Sequence, residues 1–234
     1  MRDMIHHPGY PASIIFPHCI HVAWTFRRFR GDDLSERSIF YQLIAPWFMY
    51  GFGGTVLRDL ALGRPPSFVA SKDIHKYYIT ALLLMNMSPG DMVYKMMQTR
   101  MHPLRLTCQA VESIDAVTTL CSSFEKAKIA CPNSPYAPFT LTLLTALGGS
   151  IFRYLDRRGR LRSSYDVKTE WSKPTGTIER AVGLIVMYAF MRRIRGQRFA
   201  RSFVVFLFVF LKLYVVYSVQ PTPDQNKISH SKHT

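Results

Sequence analysis

The sequence predicts an all-α membrane protein of seven transmembrane helices, in which two three-helix units form an inverted repeat and a seventh helix follows. Three observations predict it. Apolar residues are gathered into blocks of about 15–20, near the length a helix needs to cross a bilayer. Basic residues stand at the ends of those blocks. One motif occurs twice, in the middle of two such blocks.

The chain has 234 residues, 48% of them hydrophobic, and a mean hydropathy of +0.02. Its net charge is +15, from 30 Lys and Arg against 15 Asp and Glu. A balance of that kind fits nucleic acid, an anionic membrane surface, or the basic loops of a membrane protein. Arg27, Arg28 and Arg30, then Arg157, Arg158, Arg160 and Arg162, then Arg192, Arg193 and Arg195 all stand beside apolar blocks, which is the third pattern. No aromatic-basic platform or recognition motif accompanies the charge, so nucleic acid is not an expected partner. The four cysteines (Cys19, Cys108, Cys121, Cys131) show no CxxC pairing and suggest no disulfide framework. The opening MRDMIHHPGYP is polar and broken by proline, so the first spanning helix is expected to direct insertion itself.

The elements follow in order. Helix one is expected over 12–29 and helix two over 39–62, with Gly53 and Gly54 inside it. Helix three, 74–99, holds Pro89–Gly90; helix four, 103–124, is noticeably polar. After the loop ACPNSPYAP come helix five (139–155), helix six (178–191) and helix seven (202–219). The last, SFVVFLFVFLKLYVVYSV, is the clearest span: at about 1.5 Å per residue it covers about 27 Å and carries one charge, Lys212. The other helices carry charges at membrane depth, so those faces are expected to meet protein or water. The organisation is then an N-terminal extracytoplasmic segment (1–11), a first unit (12–99), a second unit (103–191), the seventh helix (202–219) and a disordered basic tail (220–234). With the N-terminus outside, most Lys and Arg fall on the cytoplasmic side. The cluster between Arg192 and Arg201 lands on the other side.

The repeat lies in two glycine pairs. GGTVLRDL (Gly53–Leu60) set over GGSIFRYL (Gly148–Leu155) matches at every position but Asp59 and Tyr154, in identity or in kind, and aligns Arg58 with Arg153. Helices two and five are three crossings apart and traverse the bilayer in opposite directions, which makes the repeat inverted. Such repeats place an ion or substrate path near the midplane, beside interrupted helices. Gly53, Gly54, Gly148 and Gly149 are therefore expected to bend or break helices two and five beside a hydrated path, with Arg58 and Arg153 close to it. Close helix packing at the small residues is the alternative reading. For Arg58, pairing with Asp59 or with another helix's carboxylate is a further one.

At FGGTVLRDLALGRPP (Phe52–Pro66) the sequence resembles the trimeric intracellular cation (TRIC) channel family. Members carry an FGG-type pair, a leucine-rich turn, an acidic residue and an LLLGEPP-like end. IFPHCIHVAW (Ile15–Trp24) looks like the family's first helix, and LSER (Leu34–Arg37) precedes the FGG. SPGDMVYKM (Ser88–Met96) is similar to its helix-three segment. HPLRL (His102–Leu106) looks like its PVKL, with Arg105 in the lysine's place; the second GG and KPT (Lys173–Thr175) also fit. The resemblance covers 15–219. It implies a homotrimer with one potassium-conducting pore per protomer, built from helices one to six, in endoplasmic or sarcoplasmic reticulum membrane, with the nuclear envelope as an alternative. The current would balance charge while Ca²⁺ is released or taken up.

The family's helix four carries a lysine and an arginine that hold a phosphoinositide headgroup; here those positions are Glu112 and Ala116, and Asp115 is added. Anionic headgroups need cationic partners, which puts a phosphoinositide at that place in question. Arg105, Glu112 and Asp115 remain candidates for a headgroup contact or for the pore, where carboxylates attract cations; a trimer contact or headgroup layer is the alternative. His18 and His21, with Cys19 between, fall short of a metal site without a third and fourth ligand. Ser123 and Lys126 have the SxxK spacing of certain hydrolases without any supporting element. The methionines Met85, Met87, Met92, Met96 and Met97 read as packing. Neither an enzyme nor a bound cofactor or metal is expected. A secondary transporter with the same repeat and a non-conducting relative are the rival readings.

Overall fold

The computed structural model describes residues 12–30, 51–66, 69, 72–99, 101–160 and 175–218; within the helices, the side chains of 12–13, 29–30, 72–73, 153–160, 175–178 and 215–218 lie outside that description. The expected N-terminal segment, the first part of helix two and the basic tail therefore lie outside the described residues. Those residues form eight α-helices and no strand: α1 (Ala12–Arg30), α2 (Gly53–Ala61), α3 (Lys72–Met87), α4 (Met92–Gln98), α5 (Pro103–Ala130), α6 (Ala137–Arg160), α7 (Thr175–Arg195) and α8 (Gln197–Ser218).

Helix three of the sequence reading is two helices. Pro89 has no N–H to give, and a 3₁₀ turn over Pro89–Asp91 separates α3 from α4. Gly90 and Asp91 both take left-handed backbone there, at φ 58° and 59°. Arg27 of α1 secures this break. Its Nη2 donates to Asp91 Oδ1 at 2.9 Å, its Nη1 donates to the Met85 carbonyl, and its guanidinium lies 4.3 Å from the Tyr94 ring centre. Helix four runs on to Ala130, past the expected end, because nothing breaks the helix before Cys131–Pro132.

α5 is the central element. It packs against α1 on one flank and against α6 and α8 elsewhere, while α1 also packs on α3, α2 on α6, and α7 on α6 and α8. Two apolar clusters result. Cys19, Ala23, Phe26, Tyr78, Met85, Met97 and Cys108 join α1, α3, α4 and α5. Val117, Cys121, Phe124, Ile185, Tyr188, Ala200 and Val204 join α5, α7 and α8. Two of the five methionines of the run, Met85 and Met97, are fully buried, as packing requires; Met87 and Met92 are exposed.

Large apolar side chains also line the outside. Val182, Val186, Phe190 and Ile194 recur every four residues along α7 and are all exposed. On α8, Phe206, Phe210 and Tyr214 stack ring on ring, each largely exposed. Patches of this extent mark a surface that meets something apolar. Among the described residues, no helix is long and apolar enough to cross a membrane. The apolar segment expected to do so, Ser202–Val219, runs past the last described side chain, and the described part of α8 opens instead with Arg198 and Arg201.

Candidate functional site

The two glycine pairs meet. A Cβ added to Gly54 would stand 1.9 Å from the Thr145 carbonyl oxygen, and one added to Gly148 would stand 2.5 Å from the Gly54 Cα. A Cβ on Gly53 would lie 2.6 Å from Phe152 Cδ2 and 3.4 Å from the Gly149 Cα. The backbones of α2 and α6 thus touch directly, which only residues lacking a Cβ permit. Thr145, at the contact, and Thr142, one turn before it, are buried, and each hydroxyl donates back into its own helix, to the Leu141 and Pro138 carbonyls at 2.8 and 2.5 Å. No hydroxyl is left unpaired against the glycines.

The expectation that both pairs interrupt their helices is corrected here. α6 is helical through Gly148 and Gly149, and none of the four glycines has a positive φ. The break falls on one partner only: Phe52 leaves helical geometry (φ −116°, ψ 4°) and α2 begins at Gly53, where the Thr55 hydroxyl donates to the Phe52 carbonyl at 2.9 Å. At this crossing the glycines supply the missing Cβ.

One turn further along α2, Arg58 and Asp59 are both buried, at 2% and 3% exposure. The Arg58 Nε and Nη2 donate to Asp59 Oδ1 at 2.8 and 2.6 Å, and Nη1 donates to Ser123 Oγ of α5 at 2.8 Å. Ser123 donates its own hydroxyl hydrogen bond to the Thr119 carbonyl at 2.7 Å. This serine therefore links a guanidinium to the helix backbone. The pair carries no net charge, and a buried ion pair persists only when its hydrogen bonds are met in this way. Arg153, aligned with Arg58 in the repeat, has its side chain outside the described residues.

A second polar group lies between α1, α5 and α8. Lys212 Nζ donates to Glu112 Oε2, joining α8 to α5. His18 Nδ1 stands 3.6 Å from Asp115 Oδ2, an ion-pair distance longer than a hydrogen bond, joining α1 to α5. The His18 ring also faces Phe52, with centroids 6.2 Å apart, which brings this group to the edge of the glycine crossing. His21 packs on Trp24 at 5.6 Å and lies within electrostatic reach of Glu112, Lys212 and His18. Arg105 lies over the same Trp24 at 5.2 Å and donates to the Gln98 carbonyl at 2.8 Å. Among the described residues, no group of three or more His, Cys, Asp and Glu could hold a metal ion, and the four cysteines are free.

No family model matches the sequence, and no curated protein does. Solved structures match the backbone. The structure of a trimeric intracellular cation channel from C. elegans without Ca²⁺ superposes with a TM-score of 0.69 at 18% identity, covering 90% of this chain and 92% of that one. The same type of channel from C. elegans with bound Ca²⁺ gives 0.71 at 17% identity, covering 89% and 91%. A structure described as the basis for activity of TRIC counter-ion channels in calcium release gives 0.66 at 16%, covering 90% and 96%. The chain has the TRIC channel fold.

Within that fold, sequence reasoning brought together the right glycines and missed their neighbours. Gly53, Gly54, Gly148 and Gly149 are one contact, with Arg58 a turn away; Arg105, Glu112 and Asp115 form a separate face of α5 directed at α1 and α8. Missed were Ser123 as the partner of Arg58, Lys212 as the partner of Glu112, and Arg27 with Asp91. Lys212 could have been found: one charge in an otherwise apolar segment needs a carboxylate on a neighbouring helix, and Glu112 was already noted. A further link, Tyr188 OH and Arg192 Nη2 donating to the two Glu125 oxygens at 2.9 and 3.0 Å, ties α5 to α7 and has no local signal in the sequence.

Proposed function

We propose that this chain is a divergent TRIC channel: a homotrimer embedded in endoplasmic or sarcoplasmic reticulum membrane, conducting potassium through each protomer as counter-ion current for Ca²⁺ release and uptake. The observation that carries the proposal is the glycine-on-glycine contact of α2 and α6 within this fold. Its path runs alongside that crossing, where the backbone at Phe52 departs from helical geometry. The pairings α1 with α5 and α2 with α6 support an inverted repeat, since helices nearest a pseudo-two-fold axis relating helix one to four and two to five would meet their counterparts across it. The exposed apolar stripes of α7 and α8 support membrane embedding.

The charges support cations. An unpartnered arginine at a narrow pore repels them, but Arg58 is neutralised by Asp59, and Lys212 by Glu112. Asp115, with His18 and Phe52, then adds a carboxylate next to the crossing. Because Lys212 is engaged by Glu112, no phosphoinositide headgroup is expected at that place on α5.

The test is reconstitution of the purified full chain into liposomes under a K⁺ or a Cl⁻ gradient. The expected reversal potential follows K⁺; one that follows Cl⁻ overturns the assignment. A second reading, a non-conducting relative, is favoured by the tightness of the crossing, which leaves no space between α2 and α6 at Gly54. Trimers that assemble in those liposomes and carry no current would establish it in place of the first.

A further inference from the structure

The turn between α7 and α8 concentrates charge that neither the fold nor the conduction path uses. Gly196, at φ 84°, is the one residue between the two helices, and Arg192, Arg193, Arg195, Arg198 and Arg201 surround it. Arg192 is held by Glu125, while Arg193, Arg195 and Arg198 are exposed and pair with no described carboxylate. Lys128, also exposed, ends α5 next to Glu125, and Lys126 lies within electrostatic reach of Arg58, Asp59 and Arg64. The carboxylates near this end, Asp59 and Glu125, are both engaged, by Arg58 and by Arg192 with Tyr188. A strong positive excess remains.

An apolar band adjoins it. Phe190 and Ile194 leave α7 for the outside just before the turn, at 61% and 57% exposure, and Phe199 and Phe203 do the same on α8 just after it. Arginines at the rim of an apolar band lie at headgroup level, where their long stems stay on the apolar side and the guanidinium reaches the phosphates. Guanidinium groups take phosphate oxygens in pairs, and an ammonium serves the same anion as a point charge. With the N-terminus outside, as the sequence leads one to expect, the cluster falls on the side opposite the general drift of basic residues. It is distinct from the Arg105–Glu112 face: Lys128 is about 24 Å along α5 from Glu112.

We infer that the α7–α8 turn is a docking surface for anionic phospholipid headgroups of the leaflet it meets. The inference rests on the membrane reading and is independent of conduction.

The test uses the full chain, first checked for resistance of its membrane fraction to carbonate extraction, then purified in a zwitterionic detergent. Thermal stability is measured with added phosphatidylserine, phosphatidylcholine or inorganic phosphate. The expected result is a rise in midpoint with phosphatidylserine alone, weakened by salt. The Arg193→Gln/Arg195→Gln/Arg198→Gln variant should need roughly tenfold to hundredfold more lipid for the same rise. Its Lys counterpart at the three positions should keep the preference for phosphatidylserine, separating charge from a folding lesion. Equal response to both lipids, an undiminished response in the Gln variant, loss of the response in the Lys variant, or the same rise with inorganic phosphate would each overturn the inference. A chain stripped from membranes by carbonate would instead overturn the membrane reading beneath it.

Discussion

Alanine at Gly54 should destabilise this protein, although alanine in a helix ordinarily does the reverse. The new Cβ would stand 1.9 Å from the Thr145 carbonyl oxygen, which is backbone and has no rotamer to escape into. Carbon–oxygen contacts at helix interfaces settle at about 3.3–3.6 Å, so α2 and α6 must part by roughly 1.4 Å at this point. Overpacking of this kind costs about 1–3 kcal/mol, and the parted helices lose dispersion along the whole crossing. Helix propensity offsets about 0.8–1.0 kcal/mol of that, leaving a net loss of up to about 2 kcal/mol before the lost dispersion is added. Gly148→Ala belongs with it, since its Cβ would meet the Gly54 Cα at 2.5 Å. Gly53→Ala should cost less, because the obstructing atom is the Phe152 ring, which can turn. Gly183, in the interior of α7, has nothing within 4 Å of its added Cβ; alanine there should stabilise by about 0.5–1 kcal/mol. The assay is thermal unfolding of the full chain in one detergent, where 1 kcal/mol moves the midpoint by about 2–4 °C for a chain of this size. Gly54→Ala as stable as wild type, or Gly183→Ala as damaging as Gly54→Ala, would refute the contact as the reason for the glycines.

Three further outcomes follow from the buried charges and the fold. Arg58→Met should cost about 3–5 kcal/mol by leaving Asp59 buried and uncompensated, and Arg58→Met/Asp59→Leu should recover most of it in the same unfolding assay. Lys212→Met should be destabilising alone and milder with Glu112→Gln; equal damage in the single and double variants would mean that the α5–α8 pair does not hold these helices together. Gly53→Leu should abolish K⁺ flux in liposomes if the path runs beside the crossing, and flux at the wild-type level would move the path elsewhere.

How much of this was legible in the chain depends on where each signal lives. Helix positions were legible because apolar blocks and proline punctuation are local: Pro103 opens α5 as expected, while its end at Ala130, before Cys131–Pro132, lies six residues beyond the expected Phe124. The 3₁₀ break at Pro89–Asp91 was half legible, since Pro–Gly announces a bend while the left-handed Asp91 depends on Arg27, which is remote in sequence. The glycine pairs were legible as partners through the repeat, yet their role was not. Bending and close approach both require glycine, and only the position of Thr145 against Gly54 decides between them. Partners of buried charges were the least legible. Asp59 is adjacent to Arg58 and was open to a guess, whereas Ser123 and Lys212 reach their partners across the bundle.

Helix four illustrates why a local loss of charge can mislead. Read along α5 alone, Glu112 in place of a lysine, with Asp115 added, turns a cationic helix anionic. Across the bundle Lys212 arrives from α8 against Glu112, and the His18 ring from α1 stands 3.6 Å from Asp115. A low-dielectric interior demands such a partner, since a lone buried carboxylate would be costly there. The consequence is directional. At this end of α5 cations are engaged by protein and have little left for an external anion, whereas at the other end Arg193, Arg195, Arg198 and Lys128 face outward with Glu125 already engaged. If anionic lipid acts on this channel fold here, the balance of charge puts the contact at the α7–α8 turn, and the Gln and Lys triple variants at that turn, not substitutions on α5, are where its effect should change.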